Sequence, residues 1–156
     1  MVGIAAGLLE EILARAGATA EVEVCGLLFG TPERIEAVRH TANSAAEPQD
    51  SFEVDPAALL AALRAERGGG ARLVGHYHSH PNGLAVPSAR DLAAAEPGRL
   101  WLIIGGGEAR LWLAEKRGFR ALPLEQPERY SCSSSRLPWP SQAATSAASP
   151  PETRTP

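Results

Sequence analysis

His76-Tyr77-His78-Ser79-His80-Pro81, continued through Pro87-Ser88-Ala89-Arg90-Asp91, holds three of the chain's 4 histidines and decides how the rest is read. Leu73 to His80 is strand-like, and Pro81-Asn82-Gly83 forces a turn because proline cannot continue a ladder. Residues i and i+2 of a strand share a face about 6.6 Å apart, so two such imidazoles can tilt onto one ion with Zn–N bonds near 2.1 Å. Three in a row cannot, since His76 and His80 would lie roughly 13 Å apart on a straight strand. His78 with His80 is the favoured pair, because the chain turns at Pro81 and can bring a third ligand close. Asp91, in the first turn of a short helix opened by Ser88-x-x-Asp91, is the natural candidate. Two imidazoles and one carboxylate leave a fourth tetrahedral position for water, the pattern of a hydrolytic rather than a structural zinc.

Outward from this stretch the chain alternates helix and strand signals. Ile4, Leu8, Leu9, Ile12 and Leu13 recur at helical spacing opposite Glu10, Glu11 and Arg15, and Gly17 stops the run. Glu21 to Phe29 and Arg34 to His40 read as a strand pair around Thr31-Pro32, with Ser51 to Val54 as a short further strand. Asp55-Pro56 is an N-cap followed by proline at the first helical position, predicting a helix to about Arg67, where three glycines break it. Ser88 to Ala95 is the short helix; Leu100 to Ile104 and Ala109 to Ala114 are strands around a glycine turn, and Arg117 to Leu124 is one more. From Gln126 onward Ser, Pro, Ala and Thr dominate, so the expected organisation is one folded domain over 1–125 and a disordered tail over 126–156, with Trp139 as a stray anchor.

Composition narrows the functional class. A length of 156 residues fits one domain, and 44% apolar residues suffice for a core. The net charge of −3 lacks the cationic excess that nucleic acid or an anionic membrane would require. No apolar run approaches the roughly 20 residues of a membrane-spanning helix, and Glu10 and Glu11 interrupt any signal-peptide core. The 2 cysteines, Cys25 and Cys132, can form neither a disulfide framework nor a Cys-x-x-Cys pair, which makes a reducing cytoplasm the expected compartment. Cys25 reads as a small core residue, and His76 as a packing residue or a support to its neighbours.

The order His-x-His, seven residues, Ser, two residues, Asp, here His78-Ser79-His80 to Ser88 and Asp91, resembles the signature of the JAMM (MPN+) zinc metalloproteases. Glu23-Val24-Cys25-Gly26-Leu27-Leu28-Phe29-Gly30 likewise resembles that family's early strand, which carries a catalytic glutamate. The resemblance covers most of Glu23 to Leu113. It implies an α/β (α+β) fold, a curved, mostly antiparallel sheet flanked by helices and similar to the cytidine-deaminase architecture. It implies one Zn2+ per chain on His78, His80 and Asp91, with Glu23 as general acid/base and Ser88 steadying the oxyanion. Spacing alone leaves Glu21 and Glu23 equal; the family pattern selects Glu23. Ser88-x-x-Asp91 is also a plain capping pattern, and both readings can hold together.

The implied activity is hydrolysis of a peptide or isopeptide bond after the C-terminal Gly-Gly of a ubiquitin-like or sulfur-carrier protein. Only about fifty residues separate Gly30 from His78, which favours a compact sulfur-carrier substrate over polyubiquitin. The competing class is a non-catalytic MPN scaffold that binds partners, whose mark is loss of a ligand. None is lost. A zinc deaminase would need a Pro-Cys-x-x-Cys pair that this chain lacks.

Overall fold

The computed structural model describes residues 1–81 and 83–126. Eleven elements follow one another: β1 (Val2–Ile4), α1 (Leu8–Ala18), β2 (Cys25–Thr31), β3 (Arg34–Thr41), α2 (Pro56–Arg67), β4 (Leu73–His80), α3 (Ala89–Ala94), β5 (Leu100–Gly105), β6 (Glu108–Glu115), β7 (Gly118–Leu122) and β8 (Leu124–Glu125). The strands form one sheet in the order β7-β6-β5-β4-β2-β3-β1-β8. β7 and β8 stand at opposite ends of that order, yet a single residue, Pro123, joins them, so the sheet must curve until its two ends meet. The α+β class is as expected. The pairing is mixed: β2–β3, β2–β4, β5–β6 and β6–β7 are antiparallel, whereas β4–β5, β1–β3 and β1–β8 are parallel.

Several boundaries differ from the sequence reading, each for a physical reason. Ile4 belongs to a strand and not to the opening helix: Val2 and Ile4 are buried between β3 and β8, and Gly7, at φ 78°, turns the chain into α1. The Ile4/Leu8 spacing fits either period, and tertiary burial decides it. β2 begins at Cys25; Glu23 is held before it, its N–H donating to the Pro48 carbonyl at 2.7 Å. Ser51 to Val54 makes only one bridge, Asn43 with Val54. Pro123 divides the stretch Arg117 to Leu124 into two strands. The α2 and β4 boundaries match the expectation, and Gly106 and Gly107, both at positive φ, make the β5–β6 turn. The expectation of a disordered tail, Trp139 included, lies outside the described residues beyond Gln126.

The main core lies between α1 and the sheet. Ile4, Ile12, Leu28, Ile35, Tyr77 and Leu102 are fully buried in it. Complete burial of each such aliphatic side chain contributes about 1.5–3 kcal/mol. A polar link also crosses this face: the Tyr77 hydroxyl lies 2.7 Å from His40 Nδ1, and His40 Nε2 lies 2.6 Å from Glu11 of α1. The other face has a smaller cluster of Leu27, Ala62 and Leu73 under α2. At Gly75, a Cβ would stand 1.9 Å from the Leu100 carbonyl oxygen, so only glycine lets β4 and β5 approach.

Candidate metal centre

β4 is paired on both sides, with Cys25 of β2 and Ile103 of β5 flanking His78. Pleating puts His76, His78 and His80 on the sheet face away from α1. Asp91 reaches them through a capping box. Ser88 Oγ accepts from the Asp91 N–H at 3.1 Å, and the Ser88 N–H donates to Asp91 Oδ2 at 2.7 Å, which folds the carboxylate back toward the strand. Its Oδ1 then lies 3.3 Å from His78 Nε2 and its Oδ2 3.4 Å from His80 Nε2. The two Nε2 atoms are 2.9 Å apart, and the ligand atoms of all three residues fall within 4.8 Å of one another. The expected ligands thus converge, and the capping and ligating roles of the Ser88–Asp91 pair coexist. Two imidazoles and a carboxylate at this spacing suit one zinc ion.

The electrostatics favour a cation. Burial pushes the His78 imidazole toward its neutral form. Burial also opposes charging of His80, but the hydrogen bonds that its ring donates to the Asp91 carboxylate and to the Leu84 carbonyl outweigh it and raise its basicity. Asp91 is 4% exposed; although burial opposes ionisation, its bonds to His78 and His80 hold its carboxyl far below the ordinary carboxylate range. His80 Nδ1 lies 2.9 Å from the Leu84 carbonyl, which fixes the tautomer with Nε2 free to ligate. That carbonyl sits on an anchored loop. Trp112 Nε1 donates to the Ala85 carbonyl at 3.1 Å, and a Cβ on Gly105 would stand 2.5 Å from the Leu84 backbone.

Glu23 faces the same cleft, a space of about 580 Å³ that Ser88, Asp91 and His76 also line. Burial lifts its carboxyl to about 7, despite the opposing pull of His80. Glu21 is exposed, whereas Glu23 lines this cleft. The Glu23 backbone is fastened from both sides: Ser79 exchanges two hydrogen bonds with Val24, at 2.9 Å through Oγ and 3.0 Å through its N–H, while Asn43 Nδ2 donates to the Glu23 carbonyl at 3.0 Å. Cys25, buried against Thr41, has its thiol pushed up by burial, away from the thiolate form.

Sequence reasoning missed Asn43, Phe52, Ser79 and Trp101. Phe52 stacks on His78 with ring centroids 4.1 Å apart and planes 13° apart, and Trp101 stands edge-on to both His76 and His78. His76 packs on Trp101 outside the ligand cluster, and burial lowers its pKa to about 3, in keeping with a packing role. Asn43 and Phe52 signal themselves in the sequence only as an amide and an aromatic residue in an otherwise unpatterned loop, while Ser79 and Trp101 lie on strands β4 and β5.

A curved mixed sheet with two histidines at the end of a central strand and a capped aspartate beside them defines a JAB/MPN-type domain. Residues 5–115 match the prokaryotic homologs of the JAB domain, and the chain belongs to that family. It is 39% identical over 131 residues to a desampylase of Haloferax volcanii, covering 78% of this chain and 93% of the relative. It is 39% identical over 107 residues to a probable TtuB-protein conjugate cleaving protease of Thermus thermophilus, covering 69% of this chain and 72% of the relative. Among solved structures, a protein from Desulfitobacterium hafniense superposes with a TM-score of 0.71 at 31% identity, covering 83% and 94% of the two chains. A JAB1/MPN domain protein from Archaeoglobus fulgidus shares the fold, with a TM-score of 0.53 at 21% identity over 82% and 98%.

Proposed function

We propose that this protein is a zinc-dependent isopeptidase that releases a ubiquitin-like or sulfur-carrier protein from its conjugates, cutting after the carrier's C-terminal Gly-Gly. The observation that carries this reading is the convergence of His78, His80 and Asp91 beside a buried Glu23 whose pKa lies near 7. The names of the Haloferax and Thermus relatives support the substrate class.

His78, His80 and Asp91 would hold the ion. Zinc bound there would lower the pKa of water toward about 7 and polarise the scissile carbonyl. Glu23 takes the proton of the attacking water and passes it to the nitrogen of the departing amine, acting first as base and then as acid. Ser88 Oγ already accepts from the Asp91 N–H, which leaves its own proton to donate to the carbonyl oxygen as negative charge grows there. The anchored loop around Leu84 and Ala85 forms one wall, where a glycine tail fits more readily than branched side chains.

Residues 1–125 form the catalytic unit in this reading. Among the described residues no helix is long and apolar enough to cross a membrane. The proposed compartment is the cytoplasm, in keeping with a sequence whose 2 cysteines offer no disulfide framework. The test offers the enzyme a ubiquitin-like sulfur carrier joined through its C-terminal glycine to an amine, and a version with that glycine changed to valine. Mass spectrometry should show release from the first alone, abolished by a chelator. Equal cleavage of both, or cleavage that survives complete zinc removal, would overturn the assignment.

A further inference from the structure

The two histidines of the centre are held in different ways. A histidine that ligates through Nε2 carries its proton on Nδ1, and a hydrogen bond from that N–H ordinarily fixes the ring. His80 has such a partner in the Leu84 carbonyl. His78, fully buried, has none among the described residues: its Nδ1 is enclosed without a hydrogen bond. What surrounds its ring is aromatic. Phe52 lies flat on one face at 4.1 Å, and Trp101 meets it edge-on at 5.7 Å and 86°. Phe52 also contacts Trp101, at 5.9 Å and 81°, so the enclosure is continuous.

The residues on either side of Phe52 are pinned by one side chain. Asn43 donates through Nδ2 to the Ser51 carbonyl at 2.9 Å and accepts at Oδ1 from the Glu53 N–H at 3.0 Å. The same amide donates to the Glu23 carbonyl. A loop without regular structure thereby gains a fixed ring, anchored to the segment that bears Glu23.

We propose that Phe52 is a positioning residue for the metal centre, holding the His78 imidazole in its ligating orientation by stacking where a hydrogen bond to Nδ1 is missing. Ligation draws electron density from the imidazole, and the electron-rich face of a phenyl ring attracts an electron-poor partner, so the stack strengthens when the ion binds. An aliphatic side chain of similar bulk fills the space without this attraction or a flat surface to hold the ring.

The inference rests on the proposed zinc centre, and one titration separates the two. Zinc affinity is measured by competition with a chromogenic chelator for the wild-type chain, Phe52→Leu and Phe52→Tyr, alongside thermal melting of the metal-free proteins. The expected result is tight binding by the wild type, affinity weakened about tenfold or more in Phe52→Leu, and near-complete recovery in Phe52→Tyr. Cobalt-substituted protein gives a second readout, with the visible ligand-field bands altered in Phe52→Leu and unchanged in Phe52→Tyr. Wild-type affinity in a folded Phe52→Leu protein would overturn the positioning role and leave the centre standing. Absence of tight zinc binding by the wild type would overturn the centre itself.

Discussion

The two faces of β4 divide the labour of the molecule. Toward α1, Tyr77 is buried among Leu28, Leu102 and Ile12, and a large apolar cluster supports the sheet. On the opposite face His78 and Asp91 are equally buried, but their neighbours are nitrogen and oxygen atoms or aromatic rings, and the apolar cluster beside them is small. Burial stabilises the first face outright. On the second it shifts proton equilibria, pushing His78 toward its neutral form and lifting the Glu23 carboxyl to about 7. One strand thus carries a stabilising face and a chemical face, and substitutions should sort accordingly.

The largest effects belong to the chemical face. His78→Ala or Asp91→Ala should abolish zinc retention, measured by elemental analysis, and lower conjugate cleavage by about a thousandfold or more. Glu23→Gln should keep the zinc and lose about 10²–10⁴-fold in cleavage rate, because an amide cannot accept the proton. The stabilising face should respond in the opposite sense. Leu28→Ala should cost about 2–5 kcal/mol in denaturant unfolding while zinc stoichiometry and kcat survive below the melting transition. Loss of zinc by a still-folded Leu28→Ala protein would blur the division.

A smaller effect tests the electrostatics. In the metal-free protein the Glu23 carboxyl sits at about 7 in the fold, because of burial, against 4.5 when unfolded. A raised acid favours the fold in its protonated form, so this contribution is fully present below pH 4.5 and is lost as pH rises to 7. Chemical denaturation should show metal-free wild type losing ground to Glu23→Gln across that window, by at most about 3 kcal/mol and less where water reaches the carboxylate. Smallest of all, deletion of 132–156, a stretch rich in Ser, Pro and Ala, should leave melting temperature and activity nearly unchanged.

What could be read from the sequence follows the range of the interactions. His78, His80, Ser88 and Asp91 lie within fourteen consecutive residues, so strand pleat, proline turn and capping box together foretold their convergence. The same local logic gave α2 its Asp55 cap and Pro56 start. Asn43 and Phe52 reach the centre across a loop that has no periodicity, and no local pattern marks Ser79 as the residue whose hydroxyl accepts from the Val24 N–H. The curvature followed from the family resemblance and not from any local pattern, since it depends on Pro123 joining strands at opposite ends of the sheet order. Ile4 shows the limit of periodicity: three residues of buried strand carry too short a pattern to be told from a helix start.

The most direct test pairs zinc content with carrier release in two variants of one preparation, Glu23→Gln and Asp91→Ala. A metal centre on His78, His80 and Asp91 that works with Glu23 predicts one zinc per chain without release in the first, and neither zinc nor release in the second. Full zinc occupancy in Asp91→Ala, or undiminished release by Glu23→Gln, would contradict it.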